Sequence, residues 1–188
     1  MGRLSAALLW LGLVGITLVA PPVRDDVGPW LTALISGDWG SLEPWIVTHF
    51  QLMGVWPGLF ALLLRGDGPR SWAFRGSAFF VGCFGLLPWL VWRSEPTAAP
   101  PSRLWAAIAA LLGAVAVALL GWAGVYGSWS AWLAEARADG FVNIMAFDFL
   151  AFWLASIIET RQRGARWWWT FLPVVGLAAW LVERDAAT

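Results

Sequence analysis

Leu104-Trp-Ala-Ala-Ile-Ala-Ala-Leu-Leu-Gly-Ala-Val-Ala-Val-Ala-Leu-Leu-Gly-Trp-Ala-Gly-Val-Tyr126 decides the fold. It is a run of 23 residues without a charge. At 1.5 Å per residue a helix of that length spans about 35 Å, enough to cross the roughly 30 Å hydrocarbon core of a bilayer. Within it Ala106, Ala110, Ala114 and Ala118 recur every four residues, a small-residue ridge on which another helix can pack closely. The rest of the chain agrees with this stretch. Hydrophobic residues make up 60% of the 188 positions and charged residues 13%, against about 25% charged in a soluble domain.

Working outward, the expected fold class is all-α, a polytopic membrane helical bundle of about six transmembrane helices. The apolar run Leu4 to Ala20 reads as a retained signal-anchor helix, stopped by Pro21–Pro22. A polar connector with Asp25, Asp26 and Asp38 contains a short apolar piece, Trp30 to Ile35, suited to an interface. The second span covers about Pro44 to Leu64, with Pro57 inside, and the third about Trp72 to Trp92, with Pro88 inside. Ser94 to Ser102 is a Pro/Ala linker. After the quoted span, Ser128 to Gly140 is amphipathic. The fifth span is about Phe141 to Ile158, and the sixth about Trp167 to Val182. The domain reading is 1–93 as a first three-helix half, 94–103 as linker and 104–188 as a second half.

The halves share short motifs. Arg65-x-x-Gly68-x-Arg70 followed by Trp72 recurs as Arg161-x-x-Gly164-x-Arg166 followed by Trp167. Trp89-Leu-Val-x-Arg93 recurs as Trp180-Leu-Val-x-Arg184. Three spans per repeat would place the halves in inverted orientation, as in inverted-repeat transporters. A six-span arrangement puts Arg3, Arg65, Arg70, Arg75, Arg137 and Arg184 on one side. Arg24, Arg93, Arg103, Arg161, Arg163 and Arg166 fall on the other, so the arginine count gives no orientation.

Seventeen Trp residues are the outlying count. Many lie at expected span ends (Trp30, Trp39, Trp45, Trp72, Trp92, Trp105, Trp129 and Trp167 to Trp169), where the ring is half apolar and its N–H stays wet. A pigment-contacting surface is the sharper alternative. Net charge is zero, which argues against nucleic acid as a partner. Cys83 is the single cysteine, excluding internal disulfides and multi-cysteine metal sites.

The candidate polar site comprises Asp148, Glu159, His49 and Glu43. Asp148 falls mid-span, where a charge costs roughly 2.5–3.5 kcal/mol even on lenient scales. It must face the bundle, a wet cavity or a partner, as a proton, cation or ligand site or as an acid hydrogen-bonded to another helix. Glu159 lies on the same helical face about 16 Å further along, too far to pair with it. His49 is the only histidine. It could ligate a chlorophyll magnesium or a haem iron, titrate, or hydrogen-bond between helices. Glu43 precedes Pro44 and suits a helix N-terminus, or it could join His49 at a cavity mouth. No P-loop, GxSxG, HExxH, CxxC or dinucleotide fingerprint occurs. No catalytic residue, metal site or cofactor is therefore assigned.

From Trp105 to Arg184 the chain resembles an uncharacterised bacterial membrane family, domain of unknown function 2834. The resemblance is carried by Asp148, by Glu159-Thr-Arg161-Gln-Arg163-Gly164 leading into Trp167–Trp168, and by a final span ending Glu183–Arg184. It departs at Gly176-Leu-Ala-Ala-Trp180, where the family has an Ala-Phe-Pro-Leu-Phe-like stretch. Gln51-Leu-Met-Gly54-Val-Trp-Pro57 resembles hypothetical membrane proteins of phototrophs. Neither likeness implies an established activity. The leading expectation is a structural or accessory component, integral to a bacterial inner membrane or a photosynthetic membrane, partnered by lipid and by other subunits or a pigment–protein complex. The alternatives are a small proton-coupled permease using Asp148, or an intramembrane enzyme acting on a lipid or isoprenoid.

Overall fold

A computed structural model describes residues 2–186 other than 26, 94, 167, 168 and 170, with the backbone alone at 29. Among these residues there are nine α-helices and no strand. They are α1 Gly2–Val19, α2 Val27–Ser36, α3 Pro44–Leu63, α4 Ser71–Val81, α5 Cys83–Trp92, α6 Arg103–Tyr126, α7 Trp129–Ala138, α8 Gly140–Gln162 and α9 Val175–Ala186. Four of them, α1, α3, α6 and α8, are long and apolar enough to cross a membrane by length and composition. The start signals are chemical. Pro44 at the first turn of α3 loses no hydrogen bond there. Ser128 caps α7 by accepting from the Ala131 N–H at 3.3 Å.

The expected third span, 72–92, is two helices folded back on each other. Phe74 meets Trp89 with ring centroids 5.5 Å apart and Trp92 at 5.8 Å. In one continuous helix residues 74 and 92 would lie about 27 Å apart. The reversal sits at Gly82, whose φ of 59° and ψ of −142° are open to glycine and closed to other residues. Gly85 lets the arms approach, because a Cβ there would collide with Ser77 and Val81. Each arm reaches about 16 Å, half the hydrocarbon thickness.

The expected sixth span, 167–182, departs similarly. Its helix, α9, begins at Val175 and has 12 residues, too short to cross. Pro173 and Val174, at φ 62°, precede it. Trp169 Nε1 donates to Glu183 at 3.0 Å, and the Trp169 carbonyl lies where a Cβ on Gly176 would be. Trp169 and Leu172 therefore lie back against α9, as α4 does against α5. Trp167 and Trp168, on which part of the motif match rests, lie outside the described residues, as does Asp26.

These two reversals alter the relation between the halves. A shift of 96 positions carries Glu43 onto Asp139, Gly68 onto Gly164 and Asp67 onto Arg163. Gly68 and Gly164 share the same left-handed backbone, at φ 79° and 78°. The packing is equally reciprocal: α1 lies on α5 and α8, α6 lies on α9 and α3, and α3 and α8 meet each other at the centre. Each half thus has two long helices and a doubled-back third element. Both arginine turns come to one end of the bundle, where Arg163 meets Asp67 at 3.2 Å. The expected inversion rests on three full lengths per half, whereas among the described residues two helices of each half are long and apolar enough to cross a membrane. The halves 1–93 and 104–188 also interlock, with α1 on α8 and α3 on α6.

Candidate functional site

Asp148 lies on α8 opposite the reversal of the α4–α5 hairpin. The Cys83 N–H, first in α5, donates to its Oδ1 at 2.8 Å. Its carboxyl occupies the space a side chain at Gly82 would need. Asp148 is 4% exposed and Cys83 fully buried. The arrangement follows from backbone chemistry. A helix that starts inside an apolar bundle leaves its first N–H groups without partners. A carboxylate there accepts one and complements the positive end of the helix dipole.

His49 is packed between aromatic rings: Trp132 stacks on it at 5.6 Å with planes 12° apart, and Phe149 lies at 4.8 Å. Its Nε2 stands 3.3 Å from the Met145 carbonyl. A carbonyl can only accept, so Nε2 carries the hydrogen and is not a free ligand atom. Glu43 is the N-cap of α3, accepting from the Trp45 N–H at 2.6 Å and the Ile46 N–H at 3.2 Å. Its other oxygen accepts from the Ser128 N–H at 2.6 Å. Asp139, its counterpart at a shift of 96, caps α8 through Phe141 and Val142 at 2.9 and 3.0 Å. It also accepts from the Arg24 N–H at 3.0 Å. Each cap thus ties down a residue in the connection after the first long helix of the other half. Glu43 and His49 have separate partners.

Glu159 belongs to a buried ion cluster at the arginine end. It pairs with Arg93, which also holds Asp67 at 2.6 Å, and Asp67 in turn meets Arg163. The side chains of all four are between 1% and 7% exposed. Trp89 Nε1 and the Thr97 N–H complete Asp67 at 3.2 and 3.1 Å. Burial alone would raise the Asp67 carboxyl; the Arg93 guanidinium, with Thr97 and Arg163, instead holds it below its ordinary 3.8. A second pair, Arg65 to Asp185 at 2.7 Å, joins the first arginine turn to the end of α9. Arg65 and Arg163 are therefore engaged inside the protein.

The equivalent positions of the two halves touch along the α3–α8 contact. His49 meets Met145, Trp56 stacks on Phe152 at 5.9 Å with planes 5° apart, and Asp67 meets Arg163. Asp148 and Glu159 break this equivalence, because their counterparts are Leu52 and Leu63. No group of three or more His, Cys, Asp or Glu side chains could hold a metal among the described residues. Sequence reading missed Arg93 as the partner of Glu159, and Asp67 as the second acid that Arg93 holds. The available signal was the Trp-Leu-Val-x-Arg ending of α5, which recurs at Trp180 to Arg184.

Comparison with protein-family models, curated proteins and solved structures found no match. The class is thus defined by the molecule itself: among the described residues, an all-α fold with four helices suited to a membrane and two doubled-back elements, one after α3 and one after α8.

Proposed function

We propose that this chain is a multi-pass protein of a bacterial inner or photosynthetic membrane, acting as a structural or accessory component rather than an enzyme. In this reading α1, α3, α6 and α8 cross the bilayer. The α4–α5 hairpin and the 165–186 segment enter and leave by the same face, so the halves run parallel. The arginine count then becomes one-sided. Arg3, Arg65, Arg70, Arg75, Arg93, Arg103, Arg161, Arg163, Arg166 and Arg184 share one face, against Arg24 and Arg137 on the other. By the positive-inside rule the ten-arginine face, with both termini, is cytoplasmic. The same reading keeps 105–184 as a relative of the domain of unknown function 2834 family.

The observation that carries the accessory role is the filled contact between the halves. Transporters built from two repeats keep their substrate site at the repeat interface near mid-membrane. Here that interface holds the Trp56–Phe152 stack, and both residues are fully buried. The four candidate site residues are each occupied by a cap, a ring stack or an ion cluster. The test is gentle detergent extraction from native membranes, with mass analysis and an absorption spectrum of what co-elutes. A stoichiometric partner subunit or pigment supports the accessory role, and an isolated colourless chain sinks it.

A second reading, a proton-coupled permease, is favoured by Asp148 at the hairpin reversal, since broken helices meeting an ionisable group recur at transport sites. Asp148→Asn discriminates, because the amide oxygen still accepts from Cys83 but cannot release a proton. Loss of proton uptake by proteoliposomes, with the fold intact, would establish the permease. Unchanged behaviour favours the accessory role.

A further inference from the structure

We propose that the cavity at the open end of the α4–α5 hairpin binds a zwitterion, a methylated ammonium joined to a phosphate, the chemistry of a phosphocholine group. It lies between the first turn of α4 and the last turn of α5, with Glu95 and Thr97 of the linker on its wall, and has a volume of about 770 Å³. Its charged lining is Arg70, Arg93, Asp67 and Glu95, two of each sign. A cavity with no net charge of its own favours neither a lone anion nor a lone cation, and suits an occupant that carries both.

The two pairs of charges differ in what they have left to offer. Asp67 and Arg93 hold each other at 2.6 Å. Asp67 also takes the Thr97 N–H, the Trp89 Nε1–H and Arg163, and Arg93 also holds Glu159. Arg70 and Glu95 are exposed, and among the described residues neither side chain has a hydrogen bond or an ion pair, with the other or with anything else. They leave a guanidinium fork free for a phosphate and a carboxylate free for an ammonium.

The third element is aromatic. Phe74, Trp89 and Trp92 line the same cavity. Trp92 crosses the Phe74 ring at 82°, with centroids 5.8 Å apart, and Trp89 tilts against it by 30° at 5.5 Å. Trp89 has spent its N–H on Asp67, which leaves its ring surface, and Trp92 is 71% exposed. Crossed aromatic rings beside a carboxylate are the recognition chemistry of a methylated ammonium. A primary ammonium, with three N–H groups to satisfy, gains less from rings. In the membrane reading above, the exposed Trp72 and Trp92 place this mouth at the headgroup layer, so the expected source is a phospholipid headgroup. That source rests on the membrane reading; the binding chemistry does not.

The test is thermal unfolding of the purified full chain in an uncharged sugar detergent, titrated with short-chain phosphatidylcholine, phosphatidylglycerol of equal chain length, or free phosphocholine. Phosphatidylcholine at about ten times its dissociation constant is expected to raise the melting temperature by roughly 3–6 °C. Phosphatidylglycerol, which lacks the ammonium, is expected to give no comparable shift. Arg70→Gln and Glu95→Gln should each weaken the response about tenfold, and Trp92→Leu about fivefold. All three side chains are exposed, so the variants should fold, and Arg137→Gln, at the opposite end, should respond as the parent does. A larger shift with the lipid than with phosphocholine identifies a headgroup as the occupant, and equal shifts identify the free zwitterion. No shift with either overturns the proposal, as does an equal shift with phosphatidylglycerol or an undiminished response in Glu95→Gln or Trp92→Leu. Tag accessibility at the termini in intact cells tests the membrane reading separately, so the two ideas can fail independently.

Discussion

The two doubled-back elements solve one geometric problem with opposite chemistries. Both reverse inside the apolar bundle, and both do so through a residue at positive φ: Gly82 at 59° and Val174 at 62°. At the first reversal the freed amide is taken by Asp148, and glycine is compulsory because the carboxyl fills the space of a side chain. At the second, Val174 itself is fully buried in the apolar core, and the position equivalent to Asp148 is the buried Leu52. A polar latch needs an empty α-carbon beside it. An apolar reversal needs side-chain volume, and accepts left-handed strain in a β-branched residue to obtain it.

Exchanging the two chemistries is the strongest way to break this comparison. Gly82→Val puts a branched side chain into the Asp148 carboxyl at a positive φ. It is expected to destabilise the protein by roughly 3–5 kcal/mol, the sum of overpacking and left-handed strain, read as loss of folded protein in detergent melts. The reciprocal Val174→Gly relieves strain but loses buried methyl groups, so a melt within about 1 kcal/mol of the parent is expected. Comparable losses at both sites would show that the reversals are held in the same way.

Removing the latch without filling its space is the next largest change. Asp148→Leu leaves the Cys83 N–H unpaired in an apolar site, at a cost of about 1–3 kcal/mol. Asp148→Asn keeps the acceptor and should lie within about 1 kcal/mol of the parent. Alkylation of Cys83, the only cysteine, reads the same event locally. The thiol is buried and should become reactive in the Leu variant alone.

Acid tests the polar cluster, where Asp67 and Arg163 occupy equivalent positions. The folded-state pKa of Asp67 is depressed, so its contribution is fully present above its unfolded value near 3.8 and is lost as pH falls through the lower folded value. Melting temperature should therefore hold steady from pH 7 to about 5 and drop below pH 4. Asp67→Asn should flatten the part of that drop due to this residue. The smallest effects belong to the matched pair of turns: Gly68→Ala and Gly164→Ala should each cost about 1–2 kcal/mol. Near equality of the two would support treating the turns as equivalent.

Much of the helical content was legible because apolar runs and prolines mark it directly. α1 ends before Pro21–Pro22, α3 begins at Pro44, and α6 contains the charge-free run. The reversals were not legible. Trp72 to Trp92 is long and apolar enough to read as a crossing, and nothing local distinguishes Gly82 from Gly76 or Gly85 in the same stretch. Its role appears only once Asp148, 66 positions away, is beside it. The motif matches at Gly68 and Gly164 were readable as a repeat, yet their relative direction depended on that same reversal. Glu43 showed its capping role through Pro44. Glu159 hid its role, because its partner Arg93 lies 66 positions away at the end of α5.

The cross-half bonds also impose an order of events on synthesis. When α4 and α5 emerge, Asp148 has not been made, so the amide at the tip of the hairpin has no partner. Glu43 likewise waits for Ser128, and Arg24 for Asp139. Each early element of the first half is completed by a later residue of the second. A nascent chain stalled before α8 should therefore hold α4–α5 loosely and expose it to proteolysis. The Glu43 bond closes once Ser128 is made, and the arrival of α8 then closes the latch, the Arg24–Asp139 bond and the Glu159 side of the ion cluster.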